Sequence, residues 1–287
     1  MSSKIFDGRA LSKVILQELK QEILHTQAIK SVTSVPKLAY VYMGTNKSVL
    51  TYLGIKHRAC DFLGIQAKGY QFKENAPVQE VMAQINELNQ DKTLSGILIQ
   101  LPLADGIDTQ QVMDCIDVTK DVDGLHSMNI GKVALRGLEP LYYPCTPLGC
   151  IEILKRNNIQ IQGKHAVVIG RSNLAGTPLA LLLQKQNATV TICHKYTNDV
   201  SLFTKQADIL AVAVGKPEFI KRNMVKPGAI VVDIGINEYN GKLVGDVHSD
   251  VAEVSSFFTP VPGGVGPMTV AMLMTNLVKS WNFSLSK

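Results

Sequence analysis

Short runs of apolar, mostly β-branched residues recur along the chain, separated by stretches whose apolar positions repeat with a helical period. Runs at Leu38–Met43, Lys68–Phe72, Gly96–Leu101, Ala166–Gly170, Thr189–Cys193, Asp208–Val214 and Ala229–Gly235 predict strands. Helices are predicted near residues 9–25, 47–63, 77–90, 108–116, 146–157, 174–186 and 199–206. A strand-like run, Ser256-Phe-Phe-Thr259, and a helix-like run, Met268 to Val278, follow. Strand-helix alternation predicts α/β architecture: mostly parallel sheets with helices on their faces. The strand runs lack strict polar alternation, which fits strands covered on both sides. One block ends near Val118 and a second begins near Gly163. The joint, Glu139-Pro-Leu-Tyr-Tyr-Pro-Cys-Thr-Pro147, holds three prolines and reads as an interdomain connection.

A length of 287 residues agrees with two domains. Apolar residues at 46% and charged residues at 18% describe an ordinary globular protein. Apolar runs such as Ile209–Val214 fall far short of the roughly 20 residues that span a membrane, so no membrane partner is expected. The segment Met1–Asp7 carries no apolar signal region, and the cytoplasm is the expected compartment. The five cysteines are odd in number and scattered, without a CxxC pair, so neither a disulfide framework nor a metal site is expected. A net charge of +5 is spread along the chain with no basic run beyond two residues. That excludes a nucleic-acid groove and suits small anionic ligands.

The second block opens with candidate phosphate chemistry. His165-Ala-Val-Val-Ile-Gly170 reads as a buried strand, Gly170-Arg-Ser-Asn-Leu-Ala-Gly176 as a turn, and Thr177-Pro-Leu-Ala-Leu-Leu-Leu as a helix. Strand, glycine turn and helix N-terminus form the setting in which backbone amides receive phosphate. The spacing is GxSxxxG, a weak signal by itself that its context strengthens. NAD sites usually carry an acid at the end of the next strand to bind the ribose 2′-hydroxyl. Here Thr191-Ile-Cys-His-Lys-Tyr-Thr197 has none, whereas Arg171, His194 and Lys195 suit a 2′-phosphate. The residues favour NADP over NAD, although His194 and Lys195 also fit a solvated strand end. Gly215, and Gly235 with Ile236, follow two further strands where a cofactor would approach closely or the chain would simply turn.

In the first block, Asn46 or Ser48 suits a helix cap, and Tyr52 and Lys56 stand i and i+4 on one helical face. Such a pair joins a flat ring to an amine that moves protons, but a helix lysine is more often solvated. Gln100 ends an apolar strand, where a buried amide needs partners. Asp121 and Asp123 lie in a loop, where aspartates commonly form turns. Near the end, Pro260-Val-Pro-Gly-Gly-Val-Gly-Pro267 makes a stiff, shaped loop: a structural turn, or a wall against which a ligand meets bare backbone.

Over nearly its full length the chain resembles the bifunctional methylenetetrahydrofolate dehydrogenase/methenyltetrahydrofolate cyclohydrolase (FolD) family. The resemblance rests on Tyr52-x-x-x-Lys56, Gly96-Ile-Leu-Ile-Gln-Leu-Pro-Leu103, Asp121-Val-Asp-Gly124, Pro144-Cys-Thr-Pro147, Val168-Ile-Gly-Arg-Ser172 and Pro260–Thr269. It implies oxidation of 5,10-methylenetetrahydrofolate by NADP+ and hydrolysis of the methenyl product to 10-formyltetrahydrofolate. It implies Lys56 as the key residue of the hydrolytic step, Gln100 as its support, Asp123 holding the pterin and Tyr52 packing on the folate. Pro262, Gly263, Gly264 and Pro267 would line the substrate, and Gly170, Arg171, Ser172, Lys195, Gly215 and Ile236 the cofactor. The implied domains are residues 1–143 with 269–287, binding tetrahydrofolate derivatives, and 144–268, a Rossmann-type NADP domain, with the active-site cleft between them. A homodimer is implied as well. Two positions depart from the family pattern. Val49 stands where a serine is usual, which leaves a dehydrogenase with weak or absent cyclohydrolase activity as the alternative. Lys195 replaces a frequent serine, putting a charge where a hydroxyl is common.

Overall fold

The computed structural model describes residues 4–286, except the side chains of Lys47 and Ser48, so the capping expected of Ser48 lies outside the described residues. In chain order the first elements are β1 (Lys4–Ile5), α1 (Gly8–Lys30), β2 (Lys37–Met43), α2 (Lys47–Leu63), β3 (Gln66–Phe72), α3 (Val78–Gln90), β4 (Gly96–Ile99), α4 (Thr109–Met113), α5 (Ser127–Ala134) and α6 (Cys145–Arg156). Then come β5 (His165–Ile169), α7 (Gly176–Lys185), β6 (Thr189–Cys193), α8 (Ser201–Thr204), β7 (Ile209–Val212), β8 (Ile230–Asp233), β9 (Asn237–Tyr239), β10 (Lys242–Val244), β11 (Phe257–Phe258) and α9 (Val265–Ser284). The chain forms two compact units. One takes the chain up to Ser12 with Thr146–Thr269, and the other takes Lys13–Cys145 with the chain from Val270 on.

The unit built on Lys13–Cys145 holds a parallel sheet in the order β3-β2-β4. Val81, Ile85 and Leu88 of α3 are buried at helical spacing. They join Val41, Ile97 and Ile99 of the sheet in one core. Each such fully buried aliphatic side chain contributes about 1.5–3 kcal/mol by leaving water. Strand β4 is wholly buried, whereas the edge strand β3 exposes much of its length, so cover on both faces holds only for the inner strands. The helix predicted at 108–116 shrinks to α4, capped by Asp108, whose side chain accepts from the Gln110 and Gln111 N–H groups. Helix α5 lies in a segment for which the sequence predicts no element, because its polar residues and Gly131 mask two buried positions about one turn apart, Asn129 and Val133.

The other unit holds a six-stranded, wholly parallel sheet in the order β1-β11-β8-β7-β5-β6. β7 is wholly buried, while the edge strand β6 is partly exposed. Leu210, Val212, Val231 and Ile169 anchor its core. The direction of winding reverses between β5 and β7, and in open α/β sheets ligands bind beyond the carboxyl ends of the strands at such a point. β1 pairs with β11, Lys4 opposite Phe257, which brings the start of the chain into this unit. The short hairpin β9–β10 was not predicted, since its three-residue strands fall below the length at which periodicity is readable. Helix α9 begins at Val265, three residues before the predicted start. Pro267 falls in its first turn, where a missing N–H costs nothing.

Lys120 shows how a loop is tied to a helix. Its Nζ donates to the carbonyl oxygens of Leu88 at 2.9 Å, Asn89 at 2.7 Å and Asp91 at 2.7 Å, at the C-terminal end of α3. A cation there satisfies carbonyls that have no helical partner and meets the negative end of the dipole. Lys120→Met should lower stability by about 1–2 kcal/mol, read as a shift of the urea midpoint at constant slope. An unchanged midpoint would contradict this role.

Candidate active site

Helix α2 buries Val49, Leu53 and Cys60 along one stripe. Tyr52 and Lys56 lie beside that stripe and are partly buried. The Lys56 Nζ donates to Gln100 Oε1 at 2.8 Å. Gln100 follows β4 directly, and its backbone N–H continues the ladder to the Val41 carbonyl at 2.8 Å. Its Nε2 donates to the Leu101 carbonyl at 2.8 Å, which turns the amide oxygen towards Lys56. Both ends of the amide are therefore used, and the lysine has a fixed acceptor.

Asp123 reaches the same place along a different path. The Ile97 N–H donates to the Lys120 carbonyl at 2.8 Å, and Ile97 bridges Asp121 in parallel, so this segment runs alongside β4. The buried Asp121 carboxylate accepts from the N–H groups of Gly124, Leu125 and His126 and from Asn129 Nδ2, the last at 2.7 Å. It is thus the turn former of the pair. Gly124 has φ +73°, and a Cβ there would stand 2.5 Å from the Tyr143 carbonyl, so only glycine fits. Asp123 is left facing Lys56 and Cys145.

Sequence reasoning missed Cys145 and Asn276 as parts of this site. The Cys145 backbone N–H donates to the Asp123 carbonyl at 3.2 Å, and its thiol lies 3.4 Å from the Val122 carbonyl. Asn276 Nδ2 donates to the Val122 and Tyr143 carbonyls, both at 2.9 Å. The Asn276 bonds join residues 154 and 133 positions apart, and the Cys145–Val122 contact spans 23, so no local spacing announces them. Burial raises the Cys145 thiol well above its ordinary range, so it is not a nucleophile at neutral pH.

Burial holds the Lys56 amine below the ordinary lysine range, and the neighbouring Asp123 and Cys145 oppose that shift. Burial pushes the Asp123 carboxyl up, with Lys56 and a hydrogen bond to Cys145 opposing. Burial also raises the phenol of Tyr52. The arrangement is an amine prepared to shed and regain a proton, an amide that aims it, and a carboxyl able to accept N–H groups.

In the other unit, β5 runs into Gly170, whose φ is +111° and whose Cβ would meet the Ala213 carbonyl oxygen at 2.1 Å. Gly176 lies equally close to the Gly170 carbonyl, at 2.3 Å for an added Cβ. The Ser172 hydroxyl accepts from the Ala175 N–H at 3.2 Å at the start of α7. Arg171 and Lys195 approach one exposed ring, Tyr196, with the guanidinium carbon at 5.8 Å and Nζ at 4.9 Å from its centroid. Two cations from the ends of neighbouring strands thus meet around one aromatic side chain. Gly215, at φ +65°, follows β7, and Ile236, 43% exposed, follows β8. In the Pro/Gly loop, Gly8 N–H donates to the Gly263 carbonyl at 2.9 Å, and Gly264 is buried against Pro260. Pro262 is exposed and Pro267 partly buried. Among the described residues no group of three or more His, Cys, Asp or Glu side chains could hold a metal ion.

Two family models match the chain: "Tetrahydrofolate dehydrogenase/cyclohydrolase, catalytic domain" over residues 6–123 and "Tetrahydrofolate dehydrogenase/cyclohydrolase, NAD(P)-binding domain" over residues 144–285. The bifunctional protein FolD of Acetivibrio thermocellus is 47% identical over 98% of this chain and 97% of its own. The crystal structure of the bifunctional FolD methylenetetrahydrofolate dehydrogenase/cyclohydrolase from Campylobacter jejuni superposes with a TM-score of 0.91 at 45% identity, covering 97% of this chain and 98% of that one. The Trypanosoma brucei enzyme, complexed with NADP cofactor and an inhibitor, gives a TM-score of 0.95 at 33% identity over the full length of both chains.

The depressed Lys56 amine yields a titration prediction. In lysine-labelled protein followed by NMR, Lys56 should lose its proton at lower pH than the solvated lysines, because burial disfavours its charged form. Asp123 supports that charge, so Asp123→Asn should move the midpoint further down. An upward movement would overturn the stated coupling.

Proposed function

Since the chain belongs to the tetrahydrofolate dehydrogenase/cyclohydrolase family, we propose that it oxidises 5,10-methylenetetrahydrofolate with NADP+ and hydrolyses the methenyl product to 10-formyltetrahydrofolate. The observation that carries this reading is the Lys56 amine, partly withdrawn from water, bonded to Gln100 and facing Asp123.

Hydride transfer asks the protein mainly for proximity and for tolerance of a growing positive charge. NADP+, when bound, accepts the hydride. Gly170 and Gly176 leave bare backbone at the turn after β5, and Arg171 with Lys195 offers positive charge suited to a 2′-phosphate. These residues fit NADP better than NAD. Tyr52 offers a flat, half-buried face to the folate. Asp123 accepts N–H groups of the pterin.

Hydrolysis begins when water adds to the methenyl carbon and gives up one proton, leaving a neutral hydroxyl adduct. The C–N bond to the ring nitrogen then breaks as that nitrogen gains a proton and the adduct's hydroxyl loses its own to become the formyl oxygen, so that one proton is released overall. An ordinary lysine, with a pKa near 10.4, is too fully charged at neutral pH to take the first proton. Lys56 is shifted towards the neutral form by burial, and the cationic substrate would shift it further. Gln100 keeps the amine aimed through both transfers. Val49 is buried at 2% exposure and brings no hydroxyl, yet the amine has its hydrogen bond without one. That favours the bifunctional reading over a dehydrogenase alone.

We extend the proposal to the assembly. The family resemblance supports a homodimer, and the edge strand β3 is paired on only one side among the described residues. No helix among those residues is long and apolar enough to cross a membrane, and we take the cytoplasm as the working compartment. Sedimentation should give twice the 31.3 kDa chain mass, and a monomer mass would remove the dimer.

The activity itself is tested with purified protein by supplying methylenetetrahydrofolate with NADP+ and NAD+ in parallel, and methenyltetrahydrofolate alone. NADP+ should be preferred, and methenyl decay should be enzyme-dependent. A strong NAD+ preference would overturn the roles of Arg171 and Lys195. Lys56→Met should cost the cyclohydrolase step about 100-fold or more while sparing some hydride transfer. Full hydrolysis by that variant would sink the role given to Lys56.

A further inference from the structure

We propose that Asp246 is a positioning residue for the cofactor: its carboxylate ties together the loops after β7 and β8 and so sets NADP+ affinity without touching the nucleotide. The proposal rests on the reading of this unit as the NADP-binding one.

Asp246 is fully buried, at 0% exposure. One carboxylate oxygen, Oδ2, accepts from the Val214 N–H at 2.6 Å and the Gly215 N–H at 3.0 Å. The other, Oδ1, accepts from the Lys216 N–H at 2.9 Å and from Asn237 Nδ2 at 2.9 Å. Three consecutive backbone N–H groups thus converge on one side chain, as they do on bound anions elsewhere. Here the anion is internal, and what it fixes is the course of the loop. Asn237 brings the second loop to the same carboxylate. Gly235 lies directly on it, since a Cβ there would stand 2.1 Å from the Asp246 carboxyl carbon.

Asp246 is itself held from the strand below. The Asp233 carboxylate accepts from the N–H groups of Gly235 at 3.1 Å, Asp246 at 3.0 Å and Val247 at 2.9 Å. A Cβ on Gly245 would fall 1.7 Å from Asp233 Oδ2, so this turn is closed around the carboxylate. The chain of support runs from β8 through Asp233 to Asp246, and from Asp246 to both loops. Their outer side is open: a Cβ on Gly215 would meet no atom within 4 Å, and Ile236 is 43% exposed. Loops anchored at the back and open at the front are suited to receive a flat ligand with little ordering on binding. Neither oxygen of Asp246 is spare, so its work is positional.

Asp246→Asn keeps the size of the side chain but replaces an acceptor by a donor. At least one buried N–H then loses its partner. The NADP+ dissociation constant should rise about tenfold, with the KM for NADP+ following it. The dehydrogenase kcat at saturating NADP+ should stay within about threefold, since no reacting group is removed. Hydrogen exchange of the 214–216 segment should quicken. Hydrolysis of methenyltetrahydrofolate, supplied without nucleotide, should stay within about twofold of the parent, because Lys56, Gln100 and Asp123 belong to the other unit. Unchanged NADP+ affinity would overturn the proposal. So would a parallel loss of hydrolysis, which marks general destabilisation. If Asp246→Asn does not fold, Asn237→Ala removes a single donor and should raise the same dissociation constant by a smaller factor; no rise there overturns the proposal equally. A parent protein that fails to bind NADP+ overturns the cofactor reading itself, and that failure is told apart because it appears before any substitution.

Discussion

A lysine amine withdrawn from water must be given something in return, and the Lys56–Gln100 hydrogen bond is what this chain supplies. The bond has a neutral acceptor. A carboxylate at 2.8 Å would hold the proton on the amine and restore the ordinary lysine behaviour that burial removes. An amide oxygen orients the amine without fixing its charge. That choice dictates much around it. Gln100 must be rigid, and its backbone is in the β4 ladder while its Nε2 is held by the Leu101 carbonyl. Asp123 is a secondary influence on Lys56 after burial, and the Asp121-Gly124 turn sets its place. Cys145 must stay a thiol, which its burial ensures.

Buried aspartates in both units solve one problem in the same way. Asp121, Asp233 and Asp246 each accept several N–H groups, most of them from the backbone of nearby turns. Such carboxyls act as internal templates for the loops that wrap them, as bound anions do elsewhere. Glycines follow from this arrangement: Gly235 and Gly245 have no side chain because a carboxylate occupies the space where one would begin. These loops are therefore shaped by buried acid side chains of the chain itself.

These relations mark the boundary of what the residue order could reveal. Central strands such as β7 were readable because every position is buried and the run is uniformly apolar. The turn from β5 into α7 was readable because glycine, serine and a first-turn proline each carry a local backbone reason. Tyr52 and Lys56 were readable as one face of a helix, but their chemistry was not: it depends on Gln100, 44 positions away, and on Asp123. Helix α5 was hidden by its polar, glycine-containing sequence. Asp246 was hidden more deeply. In the sequence it is one aspartate in a glycine-flanked turn, and only the fold directs four donors at it.

The coupling between the two proposed steps has a physical order. With Lys56 in its proposed role, oxidation of the methylene bridge would leave a cation near its amine, and a nearby positive charge in a site of low polarity disfavours protonated lysine. The amine is least able to act as a base before hydride leaves and most able afterwards. Burial alone brings Lys56 part of the way, with Asp123 opposing it. In the proposed mechanism the product of the first step would supply the remainder. A single lysine would thereby be kept, in that mechanism, from premature proton transfer on the methylene compound and released for it on the methenyl compound. No moving lid is needed for that discrimination. It would follow from the charge of the methenyl product and the neutral acceptor on Gln100.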